Sequence, residues 1–270
     1  AEYTDGDQRL HTAYSFAFLG SRPAAREIAE RLQAWTHRSG WPSWAFSNHD
    51  VPRVATRWSG RHGKAFDFGL GGGDERALGD IPPATWMALL LALRGTVFIY
   101  QGEELGLDEA VVPFEQMQDP FGIAHWPLVT GRDGCRTPMP WFADAPHAGF
   151  STHAPWLPVW PAHRERAVDR QSAEPNSMLA TTRQLIRLRQ QHPALRVGEL
   201  EVAHVDDDLL HLVRRSGPAE MHAVFNLGAT ARTLAMPQAD ARTQWSGGAR
   251  PSPTTLDLPP GAAWLGLGDA

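Results

Sequence analysis

The sequence predicts an α/β protein, in which a parallel sheet with crossover helices is followed by a small antiparallel β domain. Three observations carry this reading. Short apolar, strand-like runs alternate with amphipathic helical stretches up to about residue 105. Residues 106–176 then lose that periodicity while staying rich in Pro, Gly, Trp and His. Past residue 193, β-type runs recur between turn signals. Alternating strand and helix patterns favour parallel sheets, and closely spaced short strands favour antiparallel ones.

Taken in order, residues 14–19 (YSFAFL) read as a strand. Pro23 opens a helix with Ile28, Leu32 and Trp35 on one face, ending at Ser39-Gly40. Residues 41–47 read as a short buried strand, and the Gly-rich segment 69–80 (GLGGGDERALGD) as a surface loop. Pro83 opens a second helix, with Trp86, Leu89, Leu90 and Leu93 forming one stripe before Gly95. Residues 96–100 (TVFIY) are β-branched and aromatic and read as a buried strand that Gln101-Gly102-Glu103-Glu104 terminates. The long segment 106–176 is read as a functional loop, because Trp126, Trp141, Trp156 and Trp160 argue against disorder. Ser177 is placed to cap a third helix carrying Leu179, Leu185, Ile186 and Leu188, which Pro193 ends. Residues 209–213, 223–227, 233–236 and 263–267 supply the antiparallel strands. This divides the chain into residues 1–192 and 193–270.

Composition narrows the function classes. Of 270 residues, 42% are hydrophobic and 20% charged, as in ordinary soluble domains. A net charge of −5 gives no footprint for nucleic acid. The longest apolar run, residues 87–93, falls far short of the roughly 20 residues needed to cross a bilayer, so no membrane association is expected. The first residues, AEYTDGDQRL, lack the cationic and apolar regions of a signal peptide and do not begin with Met. One cysteine, Cys135, excludes an internal disulfide framework. A cytoplasmic location is expected, with the periplasm as the alternative. Eleven Trp against three Tyr is a high ratio; most of them suit core or loop anchors, and flat indole faces also stack on sugar rings, which points only slightly to a carbohydrate site.

Three clusters hold chemistry. The run FSNHDVPR puts Asn48, His49 and Asp50 at the end of a strand, where side chains of βα folds face ligands. His49 can donate a hydrogen bond or take a proton, and Asp50 can accept two hydroxyls. Spacing leaves open an Asp that caps the next helix beside a satisfied His. In GRDGCRTPMPW, Arg132 and Arg136 stand four apart in a Gly-punctuated loop, suited to carboxylates or sugar hydroxyls. The alternative there is a local ion pair of Arg132 with Asp133. Glu103 and Glu104 are adjacent on one strand end, which favours helix capping or loop bracing over an acid/base couple. The twelve His lack metal-ligand spacing, so neither metal nor cofactor is expected. No Gly-x-Ser-x-Gly elbow occurs, and Cys135 has no base near it in sequence.

FSNHD, then VFIYQGEELG, then DPFGIAHWPLVTGRDGCRTPMPW, then PWLPV and SMLATTRQLIRLRQQHPAL resemble, in this order, the α-glucosidase and oligo-1,6-glucosidase branch of the α-amylase superfamily, glycoside hydrolase family 13. The resemblance covers nearly the whole chain. It implies a (β/α)8 barrel followed by a small antiparallel β-sandwich, with this chain supplying about strands six to eight. It makes Asp50 the third catalytic carboxylate, holding the 2- and 3-hydroxyls of a glucose. His49 would hydrogen-bond the same sugar, Arg136 would close the far end of its pocket, and Arg132 would be a further contact. Hydrogen bonds to the 2-hydroxyl strengthen in the oxocarbenium-like transition state of retaining glycosidases by several kcal/mol.

The resemblance also implies a gap. The family's nucleophile Asp and acid/base Glu follow the fourth and fifth barrel strands, and no Gly-x-Arg-x-Asp sequence occurs here. The expected function is a retaining exo-acting α-glucosidase, by hydrolysis or transglucosylation of small α-glucosides or oligosaccharides. Its activity would require an N-terminal part of the same enzyme. The alternative is a non-catalytic carbohydrate-binding or scaffold relic.

Overall fold

The structure, a computed structural model, describes residues 4, 9–20, 23–35, 40–59, 81–238 and 241–269. The Gly-rich loop expected over residues 69–80 lies outside the described residues.

The first strand, β1 (Ser43–Ala45), is wholly buried and pairs in parallel with β2 (Thr96–Phe98), Ser43 against Thr96 and Ala45 against Phe98. Between them run α2 (Val54–Arg57) and α3 (Pro83–Ala92), the latter with Pro at its first turn as the sequence predicts. Helix α1 (Ala25–Gln33) precedes β1 and buries Ile28, Ala29 and Leu32. Helix α3 is not striped. Residues 85–92 are all buried, because α3 is packed between α7 (Met178–Gln191) and the antiparallel sheet.

Two expected strands differ. Residues 14–19 form no strand: residues 12–16 run without regular pairing and turn at residues 17 and 18. The physical reason is the Ser43 hydroxyl, which donates to the carbonyl of Ala13 and accepts from the amide of Ser15, replacing a backbone ladder. The strand expected over 96–100 stops at Phe98 and is not buried. Thr96 and Val97 are half-buried and Phe98 is exposed, since β1 covers only one of its edges among the described residues.

After β2 the chain winds through short turns, including α4 (Pro120–His125), α5 (Pro161–Arg164) and α6 (Val168–Ala173), without regular strands. Ser177 Oγ then accepts from the Ala180 amide and starts α7, followed by the short α8 (Pro193–Val197). A five-stranded antiparallel sheet has β3 (Glu199–Val205), β4 (Leu209–Ser216), β5 (Ala219–Asn226), β10 (Ala263–Asp269) and β7 (Arg242–Gly247) in that order. A three-stranded sheet holds β6 (Arg232–Ala235), β9 (Thr255–Leu258) and β8 (Arg250–Pro251).

Strand alternation explains how β5 is buried on both faces. Met221, Ala223 and Phe225 join the helices in the main core with Ile28, Trp44, Trp86 and Leu185. Val224, on the opposite face, packs with Leu256 and Leu258 of the three-stranded sheet. The main core is therefore continuous across residue 193. Arginines secure the same seam. Arg189 of α7 donates to the carbonyls of Leu91, Leu93 and Gly95, and Arg214 of β4 to those of Ala92 and Gly198. The bonds to Leu91, Ala92 and Leu93 satisfy carbonyls at the end of α3 that have no partners within the helix.

Candidate active site

The ends of β1 and β2 open into a cleft of about 390 Å³, lined by Tyr14, Phe16, Ser47, Asn48, His49, Asp50, Phe98, Ile99 and Tyr100. That volume lies in the range of small-molecule sites. The rings of Phe16 and Phe98 each lie 5.3 Å from that of Tyr14, giving one wall an aromatic face.

Asp50 sits at the rim with its side chain 45% exposed. Its Oδ1 accepts from Arg132 Nη1 at 3.1 Å and from Arg136 Nη2 at 3.3 Å, and its Oδ2 faces His49 Nε2 at 3.4 Å. Arg136 also donates from Nε to the His49 carbonyl at 2.8 Å, tying the loop to the strand end. The Asp50 amide donates to Asn48 Oδ1 at 2.8 Å, so Asn48 fixes the turn that presents Asp50. The structure thus gathers all four predicted residues. His49 and Asp50 line the cleft, whereas Arg132 and Arg136 reach it through Asp50.

Both local alternatives left open by spacing give way to longer-range contacts. Asp50 does not cap α2, which starts after Arg53 without a side-chain cap; the Val54 amide donates to Ser47 Oγ instead. Arg132 pairs with Asp119, donating from Nε to Oδ2 at 3.0 Å and from Nη2 to Oδ1 at 2.8 Å. Asp133 turns inward and accepts from the amides of Gln118 and Asp119. The Arg132 guanidinium holds the Asp119 carboxyl down to about 2, with the Arg132 and Phe121 amides assisting.

The floor of the cleft rests on buried ionisable groups. Glu103 accepts from Ser47 Oγ at 2.5 Å and from the Tyr100 amide at 2.8 Å, the loop bracing expected of it. Burial raises its carboxyl to about 7, against the lowering effect of those hydrogen bonds and of Arg57. Glu104 accepts from the Gly102 amide. Arg53, fully buried, donates to the carbonyls of Gln101, Asp108 and Gly134, joining the strand end to the arginine loop. Gly134 permits this, because a Cβ there would sit 2.4 Å from both the Ala110 carbonyl oxygen and Glu109 Oε1. Cys135 is buried beneath the loop, its thiol donating to the Arg132 carbonyl and pushed up to about 12 by burial.

Sequence reasoning missed Tyr14, Phe16 and Phe98 as cleft residues, and Asp119. The first three carried a signal as aromatics at alternate positions of strand-like runs. Asp119 carried one as an Asp-Pro helix start, and its side chain does cap α4 by accepting from the Phe121 amide. Among the described residues no cluster of His, Cys, Asp and Glu fits a metal ion, and no helix is long and apolar enough to cross a membrane.

A carboxylate that accepts from two guanidiniums, with a histidine beside it and aromatic rings in the same cleft, stands at the strand ends of an α/β protein. Comparison makes this specific. Residues 7–198 match the family model described as "Alpha amylase, catalytic domain". A "Probable alpha-glucosidase" of Rhizobium meliloti (strain 1021) is 41% identical over 240 residues, covering 87% of this chain and 41% of the relative. An oligo-1,6-glucosidase of Halalkalibacterium halodurans is 32% identical, covering 69% of this chain and 34% of the relative. A crystal structure of the alpha-glucosyl transfer enzyme XgtA is 37% identical with a TM-score of 0.81, covering 96% of this chain and 46% of that one. The trehalulose synthase of Pseudomonas mesoacidophila MX-45, at 23% identity and a TM-score of 0.77, shows the same fold. The chain belongs to the α-amylase superfamily, glycoside hydrolase family 13, a family of glycoside hydrolases and transglucosylases. It spans less than half the length of the two glucosidases and of XgtA, and 51% of the trehalulose synthase.

Proposed function

We propose that this chain is the C-terminal portion of a retaining, exo-acting α-glucosidase and supplies its third catalytic carboxylate, Asp50. The observation that carries the reading is Asp50 itself, oriented by two guanidiniums on Oδ1 beside His49 at the mouth of a strand-end cleft. In this reading Asp50 accepts hydrogen bonds from two adjacent glucose hydroxyls, and His49 donates to the same sugar. Arg136 and Arg132 hold Asp50 in place and close the pocket. Hydrogen bonds to the 2-hydroxyl tighten as positive charge develops at the anomeric carbon, so Asp50 favours the transition state over the bound substrate. The nucleophile and the acid/base belong to an N-terminal part of the same polypeptide, which also completes the barrel. Strands β1 and β2 are then the seventh and eighth of that barrel, residues 12–16 stand at the sixth, and residues 193–270 form the terminal β-sandwich. Water or a second sugar accepts the glucosyl group.

The test is Asp50→Asn in the complete enzyme, assayed with an aryl α-glucoside. Loss of interactions worth several kcal/mol in the transition state lowers kcat/KM by roughly a hundredfold or more. Turnover within a few-fold of the parent would overturn the assignment.

A further inference from the structure

We infer that Asp119, outside the cleft, is a positioning residue that keeps one oxygen of Asp50 available for the sugar. The inference rests on the reading of Asp50 given above. A guanidinium offers two edges to carboxylates, and two parallel hydrogen bonds are its preferred way of meeting one. Left to itself beside Asp50, Arg132 would engage both carboxylate oxygens and occupy the acceptor that a sugar hydroxyl needs. Instead its Nε and Nη2 are committed to Asp119, at 3.0 and 2.8 Å, and only Nη1 reaches Asp50, on Oδ1. Oδ2 is left with His49 at 3.4 Å.

The hold on Arg132 is built in. Asp119 has a side chain 0% exposed, against 45% for Asp50, so its ion pair is the better shielded from water. Its Oδ2 also accepts from the Arg132 amide at 2.8 Å, locking backbone and side chain together. Close approach of the two segments depends on Gly131 (φ 71°), where a Cβ would lie 2.9 Å from Asp119 Oδ2 and 2.8 Å from the Gly122 Cα. Asp133 fixes Asp119 from behind by accepting its amide at 2.9 Å. Arg132 is thus a shared cation: Asp119 sets its edge and Asp50 receives the remainder.

The test uses the complete enzyme carrying Asp119→Asn or Asp119→Ser, each with and without Arg132→Met. Asn and Ser cap helices about as well as Asp, so both variants keep the start of α4 while weakening the grip on Arg132. If the Asn variant fails to fold, the Ser variant carries the experiment. Affinity for a glucose-shaped iminosugar inhibitor is read beside kcat/KM for an aryl α-glucoside. Each is expected to fall about tenfold, the worth of one contested hydrogen bond. In the Arg132→Met background the same change at Asp119 should have no further effect. A crystal structure of the Asp119→Asn variant should show two Arg132 nitrogens on Asp50. Unchanged affinity, an equal loss with Arg132→Met present, or an Arg132 still end-on to Asp50 would each overturn the inference. The variant crystal structure reads the geometry without activity. A failure of Asp50 as a catalytic group shows in the Asp50→Asn assay, whereas a failure of the Asp119 hold shows as an Arg132 that stays end-on to Asp50 in the variant structure.

Discussion

Glu103 lies beneath the cleft with a carboxyl raised to about 7 from an ordinary 4.5, and that shift predicts a pH-dependent stability with a definite sign. Below pH 4.5 the carboxyl is protonated in both the folded and the unfolded chain, and it exerts no pH effect. Between about 4.5 and 7 the unfolded chain releases the proton while the folded one keeps it, so stability falls as pH rises. Above 7 both forms are ionised and the loss is complete. A gap of about 2.5 units at about 1.4 kcal/mol each gives a loss on the order of 3 kcal/mol. The perturbation is Glu103→Gln, which imitates the neutral acid. Its amide oxygen can accept from the Tyr100 amide and its nitrogen can donate to Ser47 Oγ, the groups that Glu103 meets now. Equilibrium urea unfolding, followed by tryptophan fluorescence from pH 5 to pH 8, is the assay. The Gln variant should gain on the parent by about 2 to 3 kcal/mol across that range. A difference that is flat with pH, or that favours the parent at high pH, would refute the reasoning.

Two further predictions concern the arginine loop. Gly134→Ala forces a methyl to within 2.4 Å of the Ala110 carbonyl oxygen and Glu109 Oε1, so the turn carrying Arg136 must shift. About 1–3 kcal/mol of stability should be lost, and iminosugar affinity should fall with it; unchanged affinity would uncouple this turn from Asp50. Cys135, buried and with its thiol near 12, should resist an aromatic disulfide reagent at pH 8 until the chain is unfolded, and fast labelling of the native protein would contradict its placement.

Where the sequence was legible, a local rule dominated. Ser177 caps α7 and Pro83 starts α3 because each satisfies a backbone requirement within a few residues. Strands β4, β5 and β10 stand out because both faces are buried and their apolar runs are nearly unbroken. Strand β3 (ELEVAHV) and β9 (TLDL) escaped, since one of their faces is polar and the runs are short. The site divides in the same way. FSNHD marks its strand end plainly, but nothing local to Arg132 distinguishes Asp133 as partner from Asp119, thirteen residues upstream. That choice is made by packing: Asp133 is drawn inward by two amides and Asp119 is left facing the guanidinium.

The arginines at the end of α3 bear on how the protein can be taken apart. A boundary at residue 193 invites a cut there, yet Arg214 on the sheet side reaches back to Ala92 and Arg189 on the helix side holds Leu91 and Gly95. The oxygens they meet belong to the backbone, which acid does not neutralise, while burial lowers the Arg189 guanidinium to about 10 and that of Arg214 to about 9, so the joint withstands acid and any titratable release lies on the alkaline side. The terminal sheet is better regarded as the closing wall of the helical layer than as an appendage. Grafting it onto another barrel would require a matching helix end to receive Arg214, and deleting it would strip the Ala92 carbonyl of that partner.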